Sequence, residues 1–346
     1  MKSLSLLLSA SVAALTLVSS GASAQDKNLT VAWYGGNWGD AFQACVAEPF
    51  TKETGIKVTA EIGTSTTTLA KLQQQASAPT IDVAYMDGGI SELAQEAGVL
   101  APIDLSKMPN AANLSEKAAY KAGNDVFAIS GGYYSLGLTY NTKEIEEAPT
   151  SWEALWDEDY AGAVTIPSPS NSAGIPFIFF LNKMLGGTPA DMSATFAKLK
   201  ELDANMFFDS SGAASNAFQS GEVIIGAHFN VGAWALADAG LPIGFTVPKE
   251  GVWATDARLH LVKGSKNSEA AEKFLNTAMS AEAGQCLAAK LYLGPAVKNV
   301  ELTPEVSRKL PWGEKGSVDD LLLFDWNEVN AKRSELTETW NREVAR

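Results

Sequence analysis

The sequence predicts an α/β fold made of two closely joined lobes. Short apolar runs, which indicate buried strands, alternate with amphipathic stretches, which indicate helices, along most of the chain. The 346 residues, of which 46% are hydrophobic and 19% are charged, are enough for two hydrophobic cores. No internal repeat, low-complexity segment or change in composition marks a linker. We therefore expect lobes that share chain crossings rather than independent units in series.

Residues 1–24 have the pattern of an export signal. Lys2 supplies the positive charge, residues 4–18 form the apolar core, and residues 22–24 (Ala-Ser-Ala) form a small-residue cleavage site. The apolar core is too short to span a bilayer. No cysteine follows the cleavage site, which argues against a lipid anchor. We expect a mature, periplasmic protein that begins near Gln25.

The first α/β unit opens the mature chain. Residues 29–31 read as a buried strand, a Gly-Gly turn follows, and Asn37 occupies the position of a helix N-cap. The helix presents one apolar face, but Pro49 should kink its last part. Gly55 is expected to end the helix, and residues 56–58 begin a second strand.

The rest of the chain continues the alternation. Residues 127–140, rich in aromatic and small side chains, read as a strand that is buried on both sides and crosses between the lobes. Tyr133 and Tyr134 within it suit either a ligand site or the core. The other predicted strands cover residues 81–85, 164–166, 222–227, 243–247 and 253–262. A second predicted helix begins among the hydroxyl residues that precede Leu69. The other predicted helices cover residues 91–97, 151–156, 175–185, 212–219, 234–239, 269–279 and 281–289, and an amphipathic tail covers 319–346.

Polar and aromatic side chains cluster where strands end and helices begin. In open α/β sheets, ligands bind beyond the carboxyl ends of the strands. Asn37 and Trp38 follow the first strand, and Asp87 follows a later one. Helix N-termini can also hold an anionic group, although simple helix capping explains the same residues. Hydroxyl or amide side chains stand at three predicted helix starts, namely Ser65, Ser170 with Asn171, and Ser211.

The two cysteines of the chain, Cys45 and Cys286, both lie on apolar helical faces. They are either two buried thiols or one disulfide, and an oxidising compartment favours the disulfide. Because the loop would be about 240 residues long, the chain-entropy model gives at most about 5 kcal/mol of stabilisation.

Charge and motifs exclude several functions. A formal net charge of −14 argues against nucleic acid as a partner. The sequence has no GxSxG elbow, P-loop or HExxH motif. His228 and His260, the two histidines, have no other ligand at metal-binding spacing, so we expect neither a metal nor a cofactor.

Several segments resemble one known family. FTKETGIKV, TSWEALW, SGEVIIGAHFN, VPKEG and KNSEAAEKFLN, in this order, are similar to segments of the periplasmic solute-binding proteins of ABC importers, specifically the spermidine/putrescine-binding type. The resemblance implies a type II periplasmic-binding-protein fold, with lobes joined by crossing strands at a hinge. We expect one lobe from residues 25–134 plus 264–306 and the other from 135–263 plus 307–346. The resemblance also implies a monomer that closes on a small solute and then docks on a membrane permease.

Binding residues are carried over from the family one at a time. Asn37 and Trp38 match its cleft tryptophan region, Asp87 matches the polar end of its third strand, and Phe229 matches a cleft aromatic. Polyamine binders have acidic residues after the TSW…G strand, where this chain has Ser168, Ser170, Asn171 and Ser172. They also have a Trp-x-Asp motif, where this chain has Trp253, Asp256 and Arg258 in a shifted register.

These departures favour a solute with one ammonium and one anionic group, such as an ω-amino acid or an aminophosphonate, over a plain diamine. The ammonium would face Asp87 or Asp256 beside aromatic rings, because a desolvated, unpaired ammonium is costly. The anion would face residues 170–172 or Arg258. An enzyme, or a sensor that presents the solute to a receptor, on the same scaffold is the alternative function.

Overall fold

The computed structural model describes residues 28–312 and 316–345. The predicted export signal and its cleavage site lie outside the described residues. No described helix is both long and apolar enough to cross a membrane.

Strands of both lobes form one continuous sheet. Its hydrogen-bonded order is β2-β1-β3-β11-β6-β9-β7-β8, with β10 and β5 paired to β6 and β4 paired to β11. The strands are β1 (Asn28–Trp33), β2 (Lys57–Ile62), β3 (Val83–Asp87), β4 (Leu100–Ala101), β5 (Ala119–Ala122), β6 (Asp125–Asn141), β7 (Val164–Pro167), β8 (Ala204–Phe208), β9 (Ile225–Phe229), β10 (Ile243–Thr246) and β11 (Trp253–Val262).

Helices cover both faces of this sheet. The α-helices are α1 (Asn37–Phe42), α2 (Glu48–Thr54), α3 (Ser65–Gln74), α4 (Ile90–Glu96), α5 (Gly174–Met184), α6 (Ser193–Lys200), α7 (Ser211–Ser220), α8 (Asn230–Asp238), α9 (Ser268–Ala278), α10 (Ala281–Leu291), α11 (Pro304–Arg308) and α12 (Trp326–Glu343). Short 3₁₀ helices cover Leu105–Lys107, Pro109–Asn113, Glu116–Ala118, Trp152–Trp156, Glu158–Tyr160 and Val318–Asp320.

Strands β6 and β11 join the two lobes. Residues 125–129 of β6 pair with β5, residues 129–136 pair with residues 253–259 of β11, and residues 136–141 pair with β9 and β10. Most of β6 is buried, as the aromatic and small residues of this segment predict. Strands β1–β3 with α1–α4 form lobe 1, and β7–β9 with α5–α8 form lobe 2. The two-lobed α/β fold and its crossing strand are therefore confirmed, while the residue boundaries of the lobes stay a prediction.

The first helix differs in detail from its prediction. Gly36, with φ 62°, occupies the N-cap position, and Asn37 is the first helical residue. A π-helical turn, Gln43–Ala47, lies between α1 and α2, so the chain stays helical past Pro49 up to Gly55. A wider turn relaxes the contact that a proline ring makes with the preceding turn, which explains why the predicted kink does not end the helix.

Cys45 of this π-helical turn and Cys286 of α10 form a disulfide, with their Cα atoms 5.5 Å apart. The bond ties the first helix to a helix that the chain reaches 241 residues later. Both helices lie within the residues predicted for lobe 1, so we expect the disulfide to constrain that lobe rather than to join the two lobes.

The C-terminal helix α12, which lies within the predicted amphipathic tail, contacts both lobes. Asn330 donates a hydrogen bond to the carbonyl of Gly89 in lobe 1 at 2.7 Å. The rings of Trp340 and Phe207 lie 4.9 Å apart, which places the far end of α12 on lobe 2.

Candidate functional site

A cleft of about 370 Å³ opens between the lobes, at the carboxyl ends of the strands. Several predicted helix N-termini converge on it, as expected from the rule that ligands bind beyond the carboxyl ends of the strands. Lobe 1 lines it with residues 34–38, residues 63–66 and Asp87, the crossing strand with Tyr134, and lobe 2 with residues 170–172, 209–212, Ser215, Asn216, Phe229 and Gly232.

Asp87, the last residue of β3, is the acceptor for three hydroxyl groups. Its carboxylate is only 6% exposed. Oδ1 accepts hydrogen bonds from the hydroxyls of Tyr34, at 2.6 Å, and Tyr134. Oδ2 accepts one from Ser172 of lobe 2 at 2.6 Å, and the backbone N–H of Asp87 donates to Ser65 Oγ at 3.0 Å. The carboxylate therefore joins lobe 1, the crossing strand and lobe 2.

Both phenols stay protonated at neutral pH. Burial and the negative charge of Asp87 raise the pKa of Tyr34 and the pKa of Tyr134 well above the ordinary value. Each phenol is therefore a hydrogen-bond donor to the carboxylate rather than a second anion.

Four aromatic rings form a continuous wall beside Asp87. The ring of Trp38 lies 5.4 Å from that of Tyr34 and 5.1 Å from that of Tyr134, both edge to face. Phe229 lies a further 4.9 Å from Tyr134. Aromatic faces next to a carboxylate suit a cation, because the ring quadrupole attracts positive charge.

The lobe 2 side of the cleft is built from hydroxyl and amide groups. Ser168 Oγ accepts a hydrogen bond from the backbone N–H of Ser170 and donates one to a carboxylate oxygen of Asp209. The amide of Asn171 donates to the backbone carbonyl of Asp209 at 3.2 Å. Ser211 begins α7 at this wall. Among the described residues that line the cleft, Asp87 and Asp209 are charged and none is Lys, Arg or His.

The structure brings most of the predicted site residues together and leaves four outside. The cleft is lined by Asn37, Trp38, Ser65, Asp87, Ser170, Asn171, Ser211 and Phe229. The residues placed elsewhere are Tyr133, Trp253, Asp256 and Arg258.

Tyr133 and Trp253 belong to the core. Successive side chains of a strand point to opposite faces, so Tyr134 faces the cleft and Tyr133 is fully buried near Trp312. Trp253 is 1% exposed, and its ring packs near that of Trp326 from the C-terminal helix.

Arg258 and Asp256 pair with each other behind the cleft wall. The guanidinium donates to Asp256 Oδ1 at 2.9 Å and to Glu92 Oε1 at 2.6 Å. Burial raises the pKa of Asp256, and the charge of Arg258 opposes that shift. Because two carboxylates already neutralise the guanidinium, we do not include Arg258 or Asp256 in the proposed site.

Sequence reasoning did not select Tyr34, Asp209, Ser215, Asn216 and Gly232 as site residues. Tyr34 follows β1 directly and belongs to the aromatic and polar stretch that the strand-end rule indicates. The others lie in or beside the lobe 2 helices, where a small polar residue carries no signal of its own.

Comparisons with known proteins agree with this architecture. Residues 46–311 match the family model described as bacterial extracellular solute-binding protein. The spermidine/putrescine-binding periplasmic protein of Escherichia coli K12 is 30% identical over 271 residues, which cover 76% of this chain and 76% of that protein. Spermidine/putrescine-binding periplasmic protein 1 of Haemophilus influenzae is 27% identical, over 79% of this chain and 77% of that protein.

Solved structures share the fold over almost the whole chain. An ABC transporter structure from Clostridium perfringens is 25% identical, with a TM-score of 0.72, and the match covers 91% of this chain and 99% of that one. The structure titled Atu4243-GABA receptor has a TM-score of 0.75 at 24% identity, covers 92% of this chain and 98% of that one, and supports the fold alone. The matched family model covers most of the chain and both lobes. This chain is a member of the bacterial extracellular solute-binding protein family.

Proposed function

We propose that this protein is the solute-capturing component of an ABC importer and that its solute carries a primary amine. The observation that supports this most is Asp87, a buried carboxylate at the cleft centre beside four aromatic rings. The relatives named as spermidine/putrescine-binding proteins take amines, in line with this assignment.

Charge at the cleft favours a cationic group on the solute. Within the described residues, the side-chain contacts of Asp87 are hydroxyl donors and include no cation. A bound ammonium would supply the missing counter-charge, and the flanking rings would add about 1–2 kcal/mol through cation–π attraction. Polyamine-like solutes and ω-amino acids or aminophosphonates all provide such a group.

Capture would proceed by closure of the lobes. Ser172 of lobe 2 reaches Asp87 of lobe 1, so the cleft contacts that bind the solute exist only when the lobes are together. A solute that contacts both lobes stabilises the closed state by its differential affinity for that state. The closed monomer would then dock on a permease in the inner membrane. An oxidising periplasm, which the disulfide and the predicted export signal favour, is the expected compartment.

An enzyme on the same scaffold would need a general acid and base in the cleft. The two phenols at Asp87 are held protonated by burial and by that carboxylate, which suits binding rather than proton transfer. A sensor that presents the solute to a receptor would use the same cleft, and loss of solute uptake on gene deletion distinguishes transport from sensing.

A thermal-shift screen of the mature protein tests the proposed function. Putrescine, spermidine, 4-aminobutyrate and 2-aminoethylphosphonate form the amine set, with sugars and dicarboxylates as the control set. A solute present at 100 times its dissociation constant adds about 2.7 kcal/mol to the free energy of unfolding, which is a visible shift. We expect at least one amine to stabilise the protein and to be recovered unchanged by mass spectrometry. Stabilisation by control solutes alone, or chemical conversion of the amine, would contradict the proposal.

A further inference from the structure

His228 lies directly behind the lobe 2 wall of the cleft. It precedes Phe229 on β9, so its side chain points to the face opposite the aromatic wall. Its Nε2 lies 3.1 Å from Oγ of Ser215, a residue of α7 that lines the cleft. A Cβ atom at Gly232, another lining residue, would lie 2.3 Å from the same nitrogen. The imidazole therefore lies directly behind two residues of the cleft wall, Ser215 and Gly232.

The imidazole is neutral and has one N–H group. The ring is fully buried, near the rings of Phe208 and Phe218. This burial lowers the pKa of His228 to about 4. Nδ1 has no hydrogen-bond partner among the described residues. Because an orphaned buried N–H is rarer than an unpaired acceptor, the proton belongs on Nε2, which donates to Ser215.

This tautomer fixes the role of the Ser215 hydroxyl. Its oxygen accepts a hydrogen bond from His228, so its own hydrogen is available to another acceptor. A serine within a helix often donates to the carbonyl four residues earlier, but Ser215 makes no such bond within the described residues. Since Ser215 lines the cleft, its hydroxyl is a donor to a bound solute.

We propose that Ser215, positioned by His228, donates a hydrogen bond to an anionic oxygen of the solute, so that the protein binds a zwitterion with its ammonium at Asp87 and its carboxylate or phosphonate at Ser215. The ammonium end rests on the proposed function. The two groups of the solute would contact different lobes, since Asp87 ends β3 and Ser215 lies on α7.

Asp209 gives the competing assignment. It also lines the lobe 2 wall, and a second carboxylate would suit the second ammonium of a diamine. Asp209 is exposed, however, and its carboxylate already accepts a hydrogen bond from Ser168, so water screens its charge. A zwitterion and a diamine therefore make opposite predictions for variants at Ser215 and Asp209.

Isothermal titration of matched solutes separates these assignments. The probes are 4-aminobutyrate, 5-aminopentanoate and 2-aminoethylphosphonate as zwitterions, putrescine and cadaverine as diamines, and butylamine as the amine without an acceptor. We expect Ser215→Ala to weaken the tightest zwitterion about 10- to 100-fold, the effect of a lost hydrogen bond to a charged group, and to change butylamine less than about 2-fold. Ser215→Thr, which keeps the hydroxyl, should restore the zwitterion preference, and Asp209→Asn should not weaken zwitterion binding.

The positioning role of His228 has its own readout. Long-range ¹H–¹⁵N spectra of the histidine rings should show His228 protonated at Nε2, a property that does not depend on which solute binds. His228→Gln should reduce the ratio of zwitterion to butylamine affinity, and this loss should not add to that of Ser215→Ala.

Two groups of results would overturn the inference while leaving the proposed function intact. In the first, a diamine binds more tightly than every zwitterion, and Asp209→Asn abolishes the binding of that diamine. The other is an equal loss for all amines in Ser215→Ala, or protonation of His228 at Nδ1. If no amine binds the wild-type protein, the proposed function itself fails, and the inference fails with it.

Discussion

Asp87 accepts hydrogen bonds from three parts of the chain that are distant in sequence. Its three hydroxyl donors come from the turn after β1, from the crossing strand and from the start of the lobe 2 wall. Each donor can rotate its hydrogen, so the carboxylate can exchange a protein partner for an ammonium without moving.

The two histidines predict how stability depends on pH. Burial lowers the pKa of His228 to about 4 and that of His260 to about 3, from an ordinary value of 6.5. Between these values and 6.5 the unfolded chain binds more protons than the folded one, so the free energy of unfolding rises with pH. We expect it to fall on acidification from pH 6.5 to pH 5, by about 1.4 kcal/mol per pH unit for each histidine.

Urea denaturation at several pH values between 5 and 7.5 measures this slope. His228→Gln is the matched variant, because it removes one of the two titrating groups and leaves His260, and its slope should be about half that of the wild type. An equal slope in both proteins would show that His228 does not titrate on unfolding.

Residue-level prediction worked where the neighbours in sequence decide the environment. Asp87 ends β3 and Trp38 lies in the first turn of α1, shortly after β1, so their place in the cleft follows from the rule that ligands bind beyond the carboxyl ends of strands. Arg258 could not be placed in this way, because its partner Glu92 is 166 positions away. The strand pairing with β6 also shifts register between Asp256 and Arg258, which the sequence does not signal.

At the scale of elements, the first helix and α10 carry the main covalent constraint. The π-helical turn places Cys45 next to Cys286, so the helical segment that begins at the cleft is covalently bonded to α10. The N-terminus of this helix holds Trp38, and the disulfide therefore supports the aromatic wall as well as the core.

Loss of this disulfide should destabilise the protein strongly. Its loop spans 241 residues, for which the chain-entropy model gives a decrease of up to about 5 kcal/mol in the free energy of unfolding. Thermal denaturation of the oxidised protein, and of the Cys45→Ala, Cys286→Ala double variant, measures it. Equal stability of the two proteins would mean that packing alone holds these helices together.

The sequence predicted most elements of this fold but not all of their ends. The crossing strand β6 was recognisable from its run of aromatic and small residues. Helix α6 and strand β8 were not predicted. Strand β8 is fully buried only at Phe208, and in α6 the buried residues are Thr195, Phe196 and Leu199, so neither segment shows a long apolar run or a regular alternation. The helix N-cap was placed at Asn37, whereas the positive φ of Gly36 determines where the helix begins.

The two lobes contact each other in several regions of the molecule. The crossing strands form a continuous hinge, Ser172 reaches Asp87 across the cleft, and α12 lies against both lobes on the side of Gly89. Gly88 and Gly89 follow Asp87 directly, and both pack closely on Trp326 of α12. The backbone that follows the carboxylate therefore packs directly on the helix that also contacts lobe 2.

Calorimetric titration of Asp87→Asn shows whether the cleft captures an amine between the lobes through this carboxylate. The wild-type protein, stripped of bound solute, is titrated with the amine that stabilises it most, beside Asp87→Asn and the control Asp40→Asn, an exposed acidic residue outside the cleft lining. We predict that Asp87→Asn weakens binding at least about 100-fold, because a buried charge pair loses one partner, and that Asp40→Asn binds like the wild type. Binding of equal strength by Asp87→Asn and the wild type would contradict the account.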